Sequence, residues 1–255
     1  MKRLIIICLT IFVLGIPLLS SAESLNLCVD DRYWYPYTFT DSAGKPKGMH
    51  IDLVLKALEE LGYQATIKAY PKMRCIYMTK ANEVDGMISI SYDKSLDQSF
   101  TYPPGDNNEK ESPFKIMQVD HLVITYKDDP YVYNGDMSTL PSPIRIPFGE
   151  TVVDSLQKTG LAIQKVKTDE QNFLKMIRDK NGCVITTSII AEKFNQNDKF
   201  AGKFKIQATP LTSQPYFLTF SPKSKLSADK QKKIWEEIAK WRDDYVFTLV
   251  MYSQY

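Results

Sequence analysis

Apolar positions along this chain switch between two periods, and the switching occurs twice. "LNLCV", at residues 25–29, is a short apolar run of strand length. "IDLVLKALEELG" then places Ile51, Val54, Leu55, Leu58 and Leu61 on one helical face, with Gly62 as a stop signal. "ATIKAY" predicts a strand, "RCIYMTKAN" a helix and "VDGMISIS" an apolar strand. This βαβαβ order implies a parallel sheet covered by helices. The polar stretch "GDNNEKES" closes the first series.

A second series follows. "DHLVITYK" and "PIRIPF" read as strands, "TVVDSLQKTG" as a helix ending at Gly160, and "LAIQKV" as a strand. "TDEQNFLKMIRDKNG" spaces Thr168 and Gln171 as a capping box, with Gly182 just past the helix. "CVITT" is another strand, leading into "SIIAEKFNQN". After the strand "YFLTF", residues 227–252 predict one long helical region with Ile234, Ile238 and Trp241 turned inward. Two similar α/β units in tandem, each too small for one large sheet, predict two lobes.

Residues 1–22 have a basic start (Lys2, Arg3), an apolar stretch and Ser20-Ser21-Ala22, the three-part pattern of a secretory signal peptide. A membrane anchor is the alternative, but the run is shorter than the ~20 residues that span a bilayer and contains Pro17. Leu27 before Cys28 is not the small residue that a lipid-attachment site needs, so no lipid anchor is expected. Without Lys2 and Arg3 the chain is formally neutral, which gives no electrostatic footprint for nucleic acid. Export to the periplasm as a monomer is the expectation.

Three cysteines remain beyond residue 22. Cys28 in the first strand and Cys75 in the second helix occupy neighbouring elements and are expected to form a disulfide, with Cys183 as a buried free thiol. Motifs for catalysis are thin: there is no Gly-x-Ser-x-Gly, no phosphate-binding glycine loop and no Cys-x-x-Cys. His50 and His121 lie far apart without ligand-like neighbours, so neither a metal site nor a cofactor is expected.

The stretch from Tyr35 to Ser91 resembles the amino-terminal signature of bacterial extracellular solute-binding proteins, family 3. The residues that carry the likeness are "YPYTF", the glycines of "GKPKG", "IDL" opening a helix, "YP" after the second strand, and "VDGMISIS". "FTYP" at 100–103 and "LTSQPYFLTFSPKS" resemble later family segments, and the likeness weakens through 120–210. It implies a two-lobed α/β clamshell, each lobe a mixed sheet flanked by helices. Lobe 1 would be residues 23–118 and 216–255, and lobe 2 residues 119–215. It further implies a small-molecule ligand in the cleft and a membrane partner, most simply the permease of an ATP-driven (ABC) importer.

Carried over by position, Trp34 falls where the family stacks an aromatic on ligand, and Asp31 where an acid can take an amine. Tyr37 is a second ring candidate and Phe39 a core one; the plain alternative is that Tyr33, Trp34 and Tyr35 cover the sheet end. Where amino-acid-binding members carry an arginine clamp for the α-carboxylate, this chain has Lys94, a point charge without a planar fork. Where the second lobe supplies an acid for the α-amine, it has Thr187 and Ser188. An ordinary α-amino acid is therefore a doubtful ligand. Arg74, beside Lys72 in "YPKMRC", could bind a carboxylate or pair with a surface acid. Ser89 and Ser91 end the third strand and could donate hydrogen bonds. Gly149 and Thr151 flank Glu150 in "FGET", whose backbone N–H groups form an anion-ready turn; Glu150 itself would repel an anion or hold a cation.

The expected function is reversible capture of a small polar solute: amino-acid-like, an amine or an organic acid. Two rivals are a periplasmic enzyme on the same scaffold, since some cyclohexadienyl dehydratases resemble this family, and a sensing module for a membrane receptor.

Overall fold

The computed structural model describes residues 23–105, 112–147, 150 and 152–255; the expected signal peptide lies outside them. The first series forms β1 (Ser24–Asp30), the short pair β2 (Phe39–Thr40) and β3 (Pro46–Lys47), α1 (Met49–Glu60), β4 (Gln64–Tyr70), α2 (Lys72–Ala81) and β5 (Gly86–Ser91). The second forms β6 (Met117–Tyr126), β7 (Ile144–Pro147), α3 (Val153–Gln157), β8 (Ile163–Val166), α4 (Asp169–Asp179), β9 (Cys183–Thr187), α5 (Ser188–Asn195) and β10 (Phe204–Ile206). The chain then returns through β11 (Thr212–Phe220) and ends in α6 (Ala228–Asp243) and α7 (Tyr245–Ser253).

The main sheet runs β4-β1-β5-β11-β6-β9-β7-β8, with β10 beside β6. Its two ends have the same construction. β4, β1 and β5 are mutually parallel with β11 antiparallel beside them, and β8, β7 and β9 are parallel with β6 antiparallel. In each half the first parallel strand sits between the second and the third. That arrangement opens a crevice at the carboxyl ends of the strands, because successive crossovers leave the central strand in opposite directions. β6 and β11 pair with each other from Met117–Tyr216 to His121–Thr212 and join the halves.

Burial follows the same division. Leu27, Val54, Leu58, Ile88, Phe220, Ile234 and Ile238 belong to one apolar cluster, and Val123, Ile144, Ile146, Leu156 and Ile185 to another. The long terminal helix expected from the pattern is broken at Asp244, which ends α6 and caps α7 by accepting the Phe247 N–H at 2.8 Å. Leu55, placed by periodicity on the inner face of α1, is 38% exposed, beside α7. Thr168 caps α4 as its spacing predicts, accepting from the Gln171 N–H at 3.3 Å.

One expectation is corrected. Cys28 and Cys75 are buried free thiols in this structure, not a disulfide, and so is Cys183. Cys75 donates to the Val29 carbonyl at 3.4 Å, while Cys28 faces the Thr79 hydroxyl at 3.8 Å. The two thiols are also neighbours, and the Cys28 sulfur, ahead of burial, pushes the Cys75 pKa up.

Candidate functional site

The two crevices face each other across β6 and β11. On the first side, the chain leaves β1 at Asp30 and folds back so that Trp34 N–H donates to the Thr38 carbonyl at 2.8 Å. Gly48 makes that fold-back possible. At φ 128° its α-carbon lies against the Tyr37 carbonyl, and an added Cβ would meet that oxygen at 2.2 Å. The indole then packs on Tyr37 and Tyr216 at ring separations of 4.6 and 4.9 Å, with its edge toward His50 at 5.8 Å. Clustered tilted and edge-on rings stabilise one another beyond the area they bury.

β5 contributes through an irregularity. Phe217 pairs with Ile90 and Leu218 with Ile88, so Ser89 is the extra residue of a β-bulge. Its φ is +67°, uncommon for a residue with a side chain, and its hydroxyl meets His50 Nδ1 at 2.7 Å. His50 is fully buried, and desolvation pushes its pKa down to about 3, so the ring is neutral. A strained residue held by a buried partner beside a cleft is a common mark of a binding site. Ser89 and Ser91 line a cavity of about 80 Å³ together with Asp30, Arg32, Trp34, Lys72 and Tyr216.

The second side supplies acids. Glu150 follows β7 and is nearly enclosed, its Oε2 taking a hydrogen bond from Trp34 Nε1 at 3.2 Å and lying 2.9 Å from His121 Nε2. His121 sits on β6, and its Nδ1 meets the Thr212 hydroxyl of β11 at 3.1 Å. Asp169 opens α4 and accepts from the Thr186 hydroxyl at 2.6 Å. Burial, opposed in part by that bond and reinforced by the charge of Glu150, pushes the Asp169 pKa up to about 6. Glu150 and Asp169 line a second cavity, about 200 Å³, with Tyr33, Trp34, Tyr35 and Lys193. Lys193 donates to the Tyr35 hydroxyl at 3.3 Å and to the Tyr255 carbonyl, so α5 also reaches across to the first half.

Trp34 therefore lines both cavities, and Lys72, Ser89, Ser91 and Glu150 each line one. The other expected residues lie elsewhere. Tyr37 is fully buried beneath Trp34, and Thr187 is buried against it; neither hydroxyl makes a hydrogen bond of normal geometry. Asp31 is exposed with its backbone N–H tied to Tyr70, and neither cavity includes it. Arg74 stacks over the Tyr70 ring at 4.7 Å, and Lys94 stands exposed in a short 3-10 turn. Ser188 begins α5, half-buried and away from both cavities. Gly149 and Thr151 lie outside the described residues.

Sequence reasoning missed Asp30, Arg32, His121 and Asp169. No set of ligand-like residues stands near His121 in the chain, and Asp169 stands inside the Thr168–Gln171 cap. The usable signal was position: Trp34, Lys72, Glu150 and Asp169 each follow the carboxyl end of a parallel strand.

Residues 25–111 match the family model for bacterial extracellular solute-binding proteins, family 3. Over those residues the family 3 resemblance holds, and the fold is shared with two-lobed periplasmic binding proteins. An ancestral cationic amino-acid solute-binding protein is 14% identical, with a TM-score of 0.64 over 91% of this chain and 95% of that one. The L-cystine solute receptor of Neisseria gonorrhoeae, in an unliganded open conformation, is 11% identical, with a TM-score of 0.62 over 91% and 92%. A histidine kinase sensor domain similar to periplasmic binding proteins is 14% identical, with a TM-score of 0.58 over 91% and 96%. No curated protein matches the chain.

Proposed function

We propose that this protein captures a small polar solute reversibly in the cleft between its lobes, in the periplasm, and delivers it to an ATP-driven importer. The lobes divide as residues 23–118 with 216–255 and residues 119–215, and they hinge where β6 and β11 run side by side. The observation that carries the reading is the hydrogen bond from Trp34 of lobe 1 to Glu150 of lobe 2, with a polar cavity on either side of the indole. A solute touching both lobes favours closure, and it shifts the open–closed balance only by its preference for the closed form. Among the described residues no helix is long and apolar enough to cross a membrane, so a partner would carry the solute through.

Thermal-shift screening of the mature protein over amino acids, amines, organic acids and short peptides tests this reading. A ligand at 100 times its dissociation constant should stabilise by about 2.7 kcal/mol. Small-angle scattering should show contraction with the same ligand. Stabilisation without contraction would count against a clamshell closing on its solute. Capture of an importer permease from membranes by the loaded form, in preference to a receptor, would separate transport from sensing.

One observation favours a second reading, catalysis. Burial pushes the Asp169 pKa up to about 6 beside the Glu150–His121 pair, in the direction a general acid in a cleft needs. The ancestral amino-acid-binding protein similar in fold is described as a precursor of cyclohexadienyl dehydratase. Turnover of prephenate that is lost on Asp169→Asn would replace the transport reading.

A further inference from the structure

The larger cavity is unevenly furnished. Tyr33, Trp34 and Tyr35 wall it on the lobe 1 side, and Glu150 and Asp169 face them from lobe 2. The Glu150 side chain is only 8% exposed. Both its polar contacts, with Trp34 and with His121, fall on Oε2, and Oε1 has no hydrogen bond among the described residues. Asp169 is similar: Thr186 occupies Oδ1 and leaves Oδ2 without a side-chain donor. A carboxylate oxygen that no protein group engages is open to a donor on a solute.

Glu170 also lines the space, and among the described residues the basic side chains there are Lys167 and Lys193. Lys193 is turned to the Tyr255 carbonyl and the Tyr35 hydroxyl. Glu170 is paired with Lys199 at 2.6 Å, whereas among the described residues neither Glu150 nor Asp169 has an ion pair with a lysine or arginine. Aromatic faces attract alkylammonium groups through the ring quadrupole while covering their carbon atoms. A carboxylate entering the same space would face Glu150 and Asp169 with no planar cationic fork opposite.

We propose that this cavity takes the ammonium group of an organic amine, its nitrogen donating to the unoccupied oxygens of Glu150 and Asp169 and its alkyl part lying against Tyr33 and Tyr35. The assignment rests on the solute-capture reading and deepens it by naming the solute class. The lobe 1 cavity, with Arg32, Lys72, Ser89 and Ser91, receives the polar remainder of the molecule.

The test uses the mature protein with n-butylamine, sodium butyrate and butyramide, matched in size and differing in charge, beside a panel of amino acids. Thermal shift and intrinsic tryptophan fluorescence give the affinities. Butylamine should bind at least tenfold more tightly than butyrate or butyramide, and Glu150→Gln should weaken it at least tenfold. Should that variant fail to fold, Asp169→Asn serves in its place. Equal binding of the three probes, or amine binding untouched by the substitution, overturns the ammonium assignment. If an amino acid nevertheless closes the lobes, solute capture stands without the amine class. If no compound of either set shifts the protein, both readings fall.

Discussion

The indole nitrogen of Trp34 and the carboxylate of Glu150, 116 positions apart, meet at 3.2 Å across the cleft. A hydrogen bond to a charged group contributes roughly 1.5–3 kcal/mol. Trp34→Phe keeps a ring against Tyr37 and Tyr216 and removes only that donor. Without solute, it should therefore leave the lobes more open. Scattering of the two proteins would show a larger radius of gyration for the variant, and an unchanged radius would mean that this bond does not help to hold the lobes together.

Ser89 combines strain with a partner that nothing else replaces. Ser89→Ala keeps the left-handed backbone and strips His50 of its Nδ1 contact, so it should destabilise by about 1–3 kcal/mol. Ser89→Gly loses the same bond but relieves the strain, which offsets on the order of 1 kcal/mol. Urea denaturation should rank wild type above glycine and glycine above alanine. The reverse order of the two variants would remove the bulge argument.

His50 predicts part of the acid limb. The native protein keeps it neutral down to about 3, whereas the unfolded chain protonates it below its ordinary value near 6.5. Its contribution to stability is complete above 6.5 and lost as the pH falls toward 3. His50→Gln should flatten stability across that window in denaturant titrations at several pH values, whatever its cost at neutrality.

Asp169 behaves in the opposite sense. Its native pKa of about 6 lies above the ordinary 3.8, so the native state holds the proton more strongly and stability falls as the pH rises through that interval. Asp169→Asn should stabilise the solute-free protein at pH 7 to 8 by about 1–3 kcal/mol. The same change should weaken amine binding. A variant less stable at pH 8 and unaltered at pH 4 would contradict the burial argument.

Gly48 is the least replaceable position near the site. A methyl group there would strike the Tyr37 carbonyl in a backbone conformation that side chains rarely adopt. Gly48→Ala should cost about 2 kcal/mol or more and displace the Trp34 fold-back from α1. Loss of solute binding together with a lowered Tm is the expected pair of results; full binding at wild-type stability would show that the loop has another way to close.

Periodicity alone determined the elements: the apolar runs of "LNLCV", "ATIKAY" and "VDGMISIS" became β1, β4 and β5, and the helical stripe of residues 51–61 became α1, with Leu55 its one outward member. Local patterning reaches such features because strand and helix bury side chains at fixed short intervals. It also placed Trp34 and Glu150 at strand ends, where a cleft forms. What only the tertiary structure decided is which distant groups share that cleft. His121 carries no local signal and Asp169 only its place after a strand; they become neighbours of Glu150 through the pairing of β6 with β9 and the position of α4 after β8. Asp31, Lys94 and Arg74 had suitable chemistry and a plausible offset, but a residue or two along a turn decides whether a side chain faces a cavity or water. Register and long-range packing fix that, and the linear order of residues does not display them.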